Sequence, residues 1–306
     1  MWFKNLQIYR ISQWNTPVEA LEDQLARHAL PDTPTSEMQQ AGWIAPAGPG
    51  KPFVHVQAQQ VLIALCVEKK ILPTSVINQY AKARALELEE QQGYKPGRKQ
   101  MKELKEAIAD ELRPRAFSLR RTIYAWLDLA NGWFVVDAAS AALADTLLEQ
   151  LHKSVDGFSL RLIKTNLSPT SAMTGWLAGS EAPHGFSVDR DCELRALGDD
   201  KATVRYVRHD LEAEEIRKHI QGGKQVTRLA MTWRDRIAFV LNDVLQIKRL
   251  EVLDVLKEAA ADVAAEEMFD SDFVMMSGEL SQLLPELLAA LGGEVDTAPK
   301  PQAAAA

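Results

Sequence analysis

The stretch from Thr74 to Leu112 constrains this chain more than any other, because it is helical in pattern yet poor in bulky apolar residues. Thr74 and Ser75, just after Pro73, can cap a helix that runs to about Gln92. Gly93-Tyr94-Lys95-Pro96-Gly97 reads as a turn, a second helix follows to about Leu112, and Pro114 ends it. Helices without a broad apolar stripe have little to bury in a core. The chain is therefore expected to fold as a body from which a charged helical hairpin projects as a finger, residues 74–121.

The same region concentrates charge. Between Lys95 and Arg121 stand nine cations, among them Arg98, Lys99, Lys102, Arg115, Arg120 and Arg121, against the four acids Glu103, Glu106, Asp110 and Glu111. This block carries +5 in a chain of net charge −7, so the remainder sums to −12. Such asymmetry points to an electropositive surface facing a polyanion. A solvated helix kept soluble by its Lys and Arg explains the same composition, and composition alone leaves both readings open.

The rest reads as a body of mixed elements. Residues 2–11 alternate as a strand, and Thr16-Pro17 suits an N-cap and first turn for a helix bearing Val18, Leu21, Leu25 and Ala29. Five prolines and three glycines between Pro31 and Pro52 mark a long loop, with a short strand at Gly42-Trp43-Ile44 inside it. Residues 53–67 supply two strands. Residues 122–129 and 133–137 are strands joined through Asn131-Gly132, a tight-hairpin signal. A helix over 138–154 and a strand over 158–163 follow, then a helix from Ser168-Pro169 to Gly179. Strands are expected at 202–208, 225–233 and 236–242, with a short helix at 212–220 between the first two, then a helix at 250–266. Phe273, Met276, Leu280, Leu283, Leu284, Leu287 and Leu291 recur at helical spacing, with Pro285 expected to kink or split that helix. Without strict β-α-β alternation the fold class is α+β, with mixed or antiparallel sheets.

At 306 residues, two or three substructures are expected: 1–73 with 122–165 as a central domain, the finger, 166–293 as a base domain, and a disordered tail at 294–306. The N-terminus lacks a secretory signal pattern, and no apolar run is long enough for a membrane span, so no membrane partner is expected. Cys66 and Cys192, far apart, fit a reducing cytoplasm.

Enzymatic motifs fail on inspection. Gln221-Gly222-Gly223-Lys224 has Lys218 and Gln225 where a phosphate loop needs Gly and Ser or Thr. His209-Asp210 lacks partner histidines for a metal-phosphohydrolase pair. Asp270, Asp272 and Glu279 are conceivable magnesium ligands, although Asp and Ser before an apolar helix are ordinary caps. No metal or cofactor is expected, and the chain reads as a binding protein rather than an enzyme.

Several segments, in order and spacing, resemble one family. They are Trp2-Phe3-Lys4-Asn5, Gly42-Trp43, Lys70-Ile71-Leu72-Pro73, Pro114-Arg115-Ala116-Phe117-Ser118, Asn131-Gly132 and Val136-Asp137. Gly223-Lys224-Gln225-Val226-Thr227, Phe269-Asp270-Ser271-Asp272-Phe273, Gly278-Glu279-Leu280 and Ala290-Leu291-Gly292-Gly293-Glu294 complete the set. Together they resemble the bacterial recombination-associated RdgC family over nearly the whole chain. The resemblance implies a cytoplasmic, nucleoid-associated, ring-shaped homodimer that encircles duplex DNA without sequence preference and restrains the RecA recombinase, with no catalytic activity or cofactor. It also implies that Phe117 sits at a dimer tip and docks near Arg208-His209-Asp210 of the other subunit, as an openable gate. The apolar C-terminal helix is a candidate for the permanent interface, and packing within its own subunit explains its stripe equally well.

Phosphate contacts position a protein on DNA without reading sequence. The candidates are Lys4, Arg98, Lys99, Lys102, Arg115, Arg120, Arg121, Lys224, Arg228, Lys248 and Arg249. The even separation of Lys224 and Arg228 is expected to put both on one strand face. Single-stranded DNA is a further candidate ligand, direct engagement of RecA by a protein-interaction scaffold is one rival reading, and a metal-dependent nuclease is another.

Overall fold

A computed structural model describes residues 1–31, 37–57, 59–179, 181–198, 201–211, 214–259 and 267–295. The expected tail beyond residue 295 and the helical pattern over 260–266 lie outside the described residues. In chain order, the first half comprises β1 (Leu6–Trp14), α1 (Val18–Arg27), β2 (Gln39–Ile44), β3 (Val54–Gln57), β4 (Gln60–Ile71), α2 (Thr74–Gln92), α3 (Arg98–Leu112), β5 (Phe117–Asp128) and β6 (Trp133–Asp137). There follow α4 (Ala141–Ser154), β7 (Phe158–Leu162), α5 (Pro169–Gly179), β8 (Phe186–Ala196), β9 (Thr203–Tyr206), α6 (Glu214–Gln221), β10 (Lys224–Trp233), β11 (Ile237–Asn242), β12 (Ile247–Val252), α7 (Asp254–Ala259) and α8 (Met268–Ala290).

The fold is α+β, and among the described residues all the strands join in one sheet. Its order is β2-β4-β5-β6-β1-β12-β11-β10-β8-β9, with β3 paired to β4 and β7 to β1, and every named strand pairing is antiparallel. β1 holds the two halves together, because Leu6 pairs with both Asp137 of β6 and Ile247 of β12. In the first half, Leu21, Leu25, Leu147 and Leu151 of α1 and α4 bury one sheet face with Ile63, Leu65, Ala125 and Phe134. The other face, with Leu62, Trp126, Trp133 and Val135, shares a core with α8, α5 and the inner residues of β8, β10 and β11. Alternation on a strand makes this two-sided burial possible.

Several expectations change here. α8 runs unbroken through Pro285, and its stripe, Phe273 to Leu291, is buried within its own chain. Core packing, not a free dimer surface, explains the stripe. β8 has no counterpart in the expected elements. β12 occupies Ile247–Val252 where the helix over 250–266 was expected to begin; Ile247 pairs with Leu6 and Leu241, and one extra residue between Lys248 and Glu251 lets Leu250 reach the same core. Thr16 does not cap α1; its hydroxyl donates to the Asp156 carbonyl at 2.7 Å, and Pro17 takes the cap position. β5 and β6 are joined by four residues, 129–132, rather than a two-residue turn. Asp128 accepts the Asn131 N–H at 3.0 Å, and only the second residue of the Asn-Gly pair, Gly132 at φ +70°, takes the left-handed conformation.

Candidate nucleic-acid interface

The helical pair keeps its charged exterior. α2 and α3 pack on each other, and the only buried side chains they contain are Ala81 and Ile108. Gly93, at φ +75°, ends α2, and its N–H reaches the Glu89 carbonyl at 2.8 Å. Arg98, Lys99 and Lys102 lie exposed on α3, the last two within 4.0 and 3.8 Å of Glu103 and Glu106 one turn on. Exposed pairs of this kind are worth only a few tenths of a kcal/mol, so these lysines remain available to an anion.

Residues 117–121 are strand rather than helical finger. They extend β5 along β4 as a ribbon, Phe117 opposite Ile71 and Arg120 opposite Glu68, with β2 on the other side of β4 as far as Lys69. The Arg120 guanidinium lies 3.3 Å from the Glu68 carboxylate. Hydrogen bonds from Ser118 and Gln40, followed by the charge of Arg120, hold that carboxyl below its usual range. Arg115 is exposed in the turn entering the ribbon. Phe117 is 84% exposed, with Leu119 and Ile71 also exposed on the same ribbon face, so its ring anchors no core of its own chain.

Most of the other cations gather on the second half of the sheet, on the face opposite α5, α6 and α8. Arg228 of β10 and Lys248 and Arg249 of β12 converge on a cavity of about 330 Å³, together with Arg205 of β9, Asp191 and Glu193 of β8, and Asn242. Burial, and then the Arg228 charge, push the Lys248 ammonium below its usual pKa, and its Nζ donates to the Ala139 carbonyl at 3.0 Å. Arg249, at φ +50°, reaches Asp191 at 3.3 Å. Lys4 is exposed beside this cluster: its carbonyl accepts the Leu250 N–H at 2.9 Å. Lys4 and Arg121 both lower the pKa of Asp137, which burial more than offsets in the upward direction.

Lys224 is not on this face. Val226 pairs with Leu194, but Arg228 already pairs with Glu193, so β10 carries one extra residue at Thr227. Such a bulge reverses the alternation. Val226 faces the helix-covered core, and Lys224, two residues earlier, shares its side, with its Nζ 3.4 Å from His219 of α6. Arg205 is the cation that inspection of the sequence missed. Its only sequence signal is alternation within β9, and the strand itself is short.

Arg208, His209 and Asp210 follow β9. Asp191 accepts the Arg208 N–H at 2.9 Å, at φ +54°, while His209 lies 3.1 Å from Glu215 and beside the Tyr206 ring. Asp210 borders a second cavity of about 550 Å³ whose apolar wall is Trp176, Leu177, Phe186, Val188 and Leu211. The three conceivable magnesium ligands are not assembled: Asp270 faces His55 and Gln57, Asp272 holds the Met1 ammonium, and Glu279 is paired with Arg236 at 2.6 Å. Among the described residues no three His, Cys, Asp or Glu side chains gather as metal ligands, and no helix is long and apolar enough to cross a membrane.

Fold and surface together define an α+β protein built on one antiparallel sheet, with cations drawn to one open sheet face and to a charged helical pair. The chain belongs to the RdgC family: the family model described as "Putative exonuclease, RdgC" matches residues 1–294. Among similar proteins, a "Recombination-associated protein RdgC" of Janthinobacterium sp. (strain Marseille) is 55% identical over 299 residues, 97% of this chain and 99% of the relative. Proteins of the same name from Dechloromonas aromatica (strain RCB) and Burkholderia cenocepacia are 52% and 53% identical, over 96% and 99% of this chain and 99% and 100% of theirs.

Proposed function

We propose that this chain is a non-sequence-specific double-stranded-DNA-binding protein that encircles DNA as a homodimer and restrains RecA-mediated recombination, acting at the nucleoid without catalysis. The observation that carries this reading is the convergence of Arg228, Lys248, Arg249 and Arg205 on one open cleft, with Lys4 beside it. Side chains of this kind meet phosphates, and their gain in affinity comes from release of condensed counterions. The recombination-associated name of the relatives agrees with a DNA ligand.

In this reading α2, α3 and the ribbon form the projecting finger, and Phe117 is the gate. The cavity bordered by Asp210 is mixed, with Glu181, Asp189 and Arg190 at its edge, and its apolar wall of Trp176, Phe186 and Leu211 is the receptor for the phenyl ring of a second copy. The test is binding to linear duplex in a salt series, with ends free or blocked by bulky protein. With about five phosphates met per subunit, the dimer is expected to show a log–log salt slope of roughly −9. Release is expected to be slower from blocked DNA. A slope near −2, with release indifferent to the ends, overturns encirclement.

The exonuclease wording of the family description supports a second reading. Magnesium-dependent loss of end-labelled or plasmid DNA would establish it. Persistent RecA inhibition by a variant that no longer binds DNA would instead favour direct contact with RecA.

A further inference from the structure

The cationic cleft contains two carboxylates, Asp191 against Arg249 and Glu193 against Arg228, that nothing in a simple DNA-binding surface calls for, and Glu193 is the one set between two arginines. Arg228, Glu193 and Arg205 are Cα partners in a row across β10, β8 and β9. Adjacent strands are about 4.8 Å apart, so the two arginines stand roughly 10 Å apart with the glutamate between them. Glu193 is only 8% exposed, and its side chain is held in place. Thr227, the bulge residue, donates its hydroxyl to Glu193 Oε1 at 3.0 Å. Arg195 Nη2 donates to the same oxygen at 3.2 Å, and Arg228 Nη1 lies 3.7 Å from the other.

The two guanidiniums differ in what they give the carboxylate. Arg195 is close and hydrogen-bonded, whereas Arg228 is drawn to it at a looser distance and is itself more than half exposed. A guanidinium at that separation feels the charge without being committed to the contact. An incoming phosphate must therefore compete with Glu193 for Arg228. The bulge at Thr227 produces the competition: it turns Arg228 onto the open face and at the same time fixes the carboxylate beside it.

We propose that Glu193 is a built-in competitor for DNA phosphate, which holds Arg228 in the unbound protein and sets how weakly the open sheet face grips DNA. This rests on the reading of that face as the DNA surface, and it adds a regulation to it. A protein that covers DNA without sequence preference must also leave, and a competitor fixed in the surface limits residence without removing any cation.

The test measures duplex affinity across a salt series for wild type, Glu193→Gln, Arg228→Ala and the double variant, with thermal melting as a control. Glu193→Gln keeps the shape and the acceptor for Thr227 and is expected to tighten binding about tenfold at low salt, from loss of one charged competitor. Arg228→Ala is expected to weaken binding, and the gain from Glu193→Gln is expected to vanish in that background. If the gain persists without Arg228, it is an effect of net charge and the proposal is overturned. If Arg228→Ala weakens binding while Glu193→Gln changes nothing, the proposal fails and the DNA surface stands. If neither changes affinity, the face does not meet DNA and both fail. Should Glu193→Gln not fold, Glu193→Asp withdraws the charge from Arg228 by one methylene, and unchanged affinity there overturns the proposal equally.

Discussion

At the scale of single residues, environment reorders what the sequence presents as equal. Arg228 and Lys224 look alike on a strand, yet one extra residue at Thr227 sends them to opposite faces. Cys66 and Cys192 are both buried, with burial pushing the Cys192 thiol up to about 12. Asp137 carries a testable pH dependence. Its Oδ1 accepts the Lys4 and Asn5 N–H groups at 3.0 and 2.9 Å, but burial outweighs these bonds and raises its pKa. The folded protein therefore holds this proton more tightly than the unfolded chain. The stabilisation is full below the unfolded value, near 3.9, and is lost as pH rises through the raised folded value. Asp137→Asn keeps an oxygen acceptor for both N–H groups and removes this loss. Urea melts between about pH 3.5 and 6 are expected to show a flatter stability profile for the variant. Asp137→Ala leaves both N–H groups without that acceptor and is expected to cost about 2 kcal/mol.

At the scale of elements, α2 and α3 were legible because their composition rules out a core position, and their bounds fall where Pro73, Gly93 and Pro114 place them. β8 and β12 were not legible. β8 mixes Asp189, Arg190, Asp191 and Glu193 with only a few inward apolar residues: Asp191 and Glu193 face the open cleft, and a register shift between Val188 and Cys192 leaves Asp189 and Arg190 at the second cavity. β12 is an interior strand, but its apolar residues stand at Ile247, Leu250 and Val252, a spacing that helix and strand templates fit equally over so few residues. The pairing of Ile71 with Phe117 makes the helical pair dispensable to the sheet. Replacing residues 74–115 by a short Gly/Ser turn is expected to shift the melting temperature by only a few degrees while helical circular dichroism falls. Duplex affinity is expected to drop in the same protein, since Arg98, Lys99, Lys102 and Arg115 leave with the pair.

At the scale of the whole molecule, α8 is the member that makes one body of two halves, since Phe273, Met276 and Leu283 share a core with residues from both ends of the sheet. Its stripe is therefore unavailable to a partner, and the exposed apolar residues at the ribbon end serve only as the gate contact of the proposed dimer. Phe117→Ala is expected to leave melting unchanged, because the ring is 84% exposed, while weakening dimer closure in sedimentation and speeding release from end-blocked DNA. Equal release from both proteins would count against the gate. The sequence by itself determined the α+β class, the charged helical pair and the family, because composition, breakers and ordered motifs are local properties that survive without contacts. Only the tertiary structure decided which cations share a surface, that Glu193 stands between two of them, and that α8 is core. Those facts depend on register, on one bulge and on pairing between residues far apart in the chain, and none of these leaves a periodic mark on the sequence.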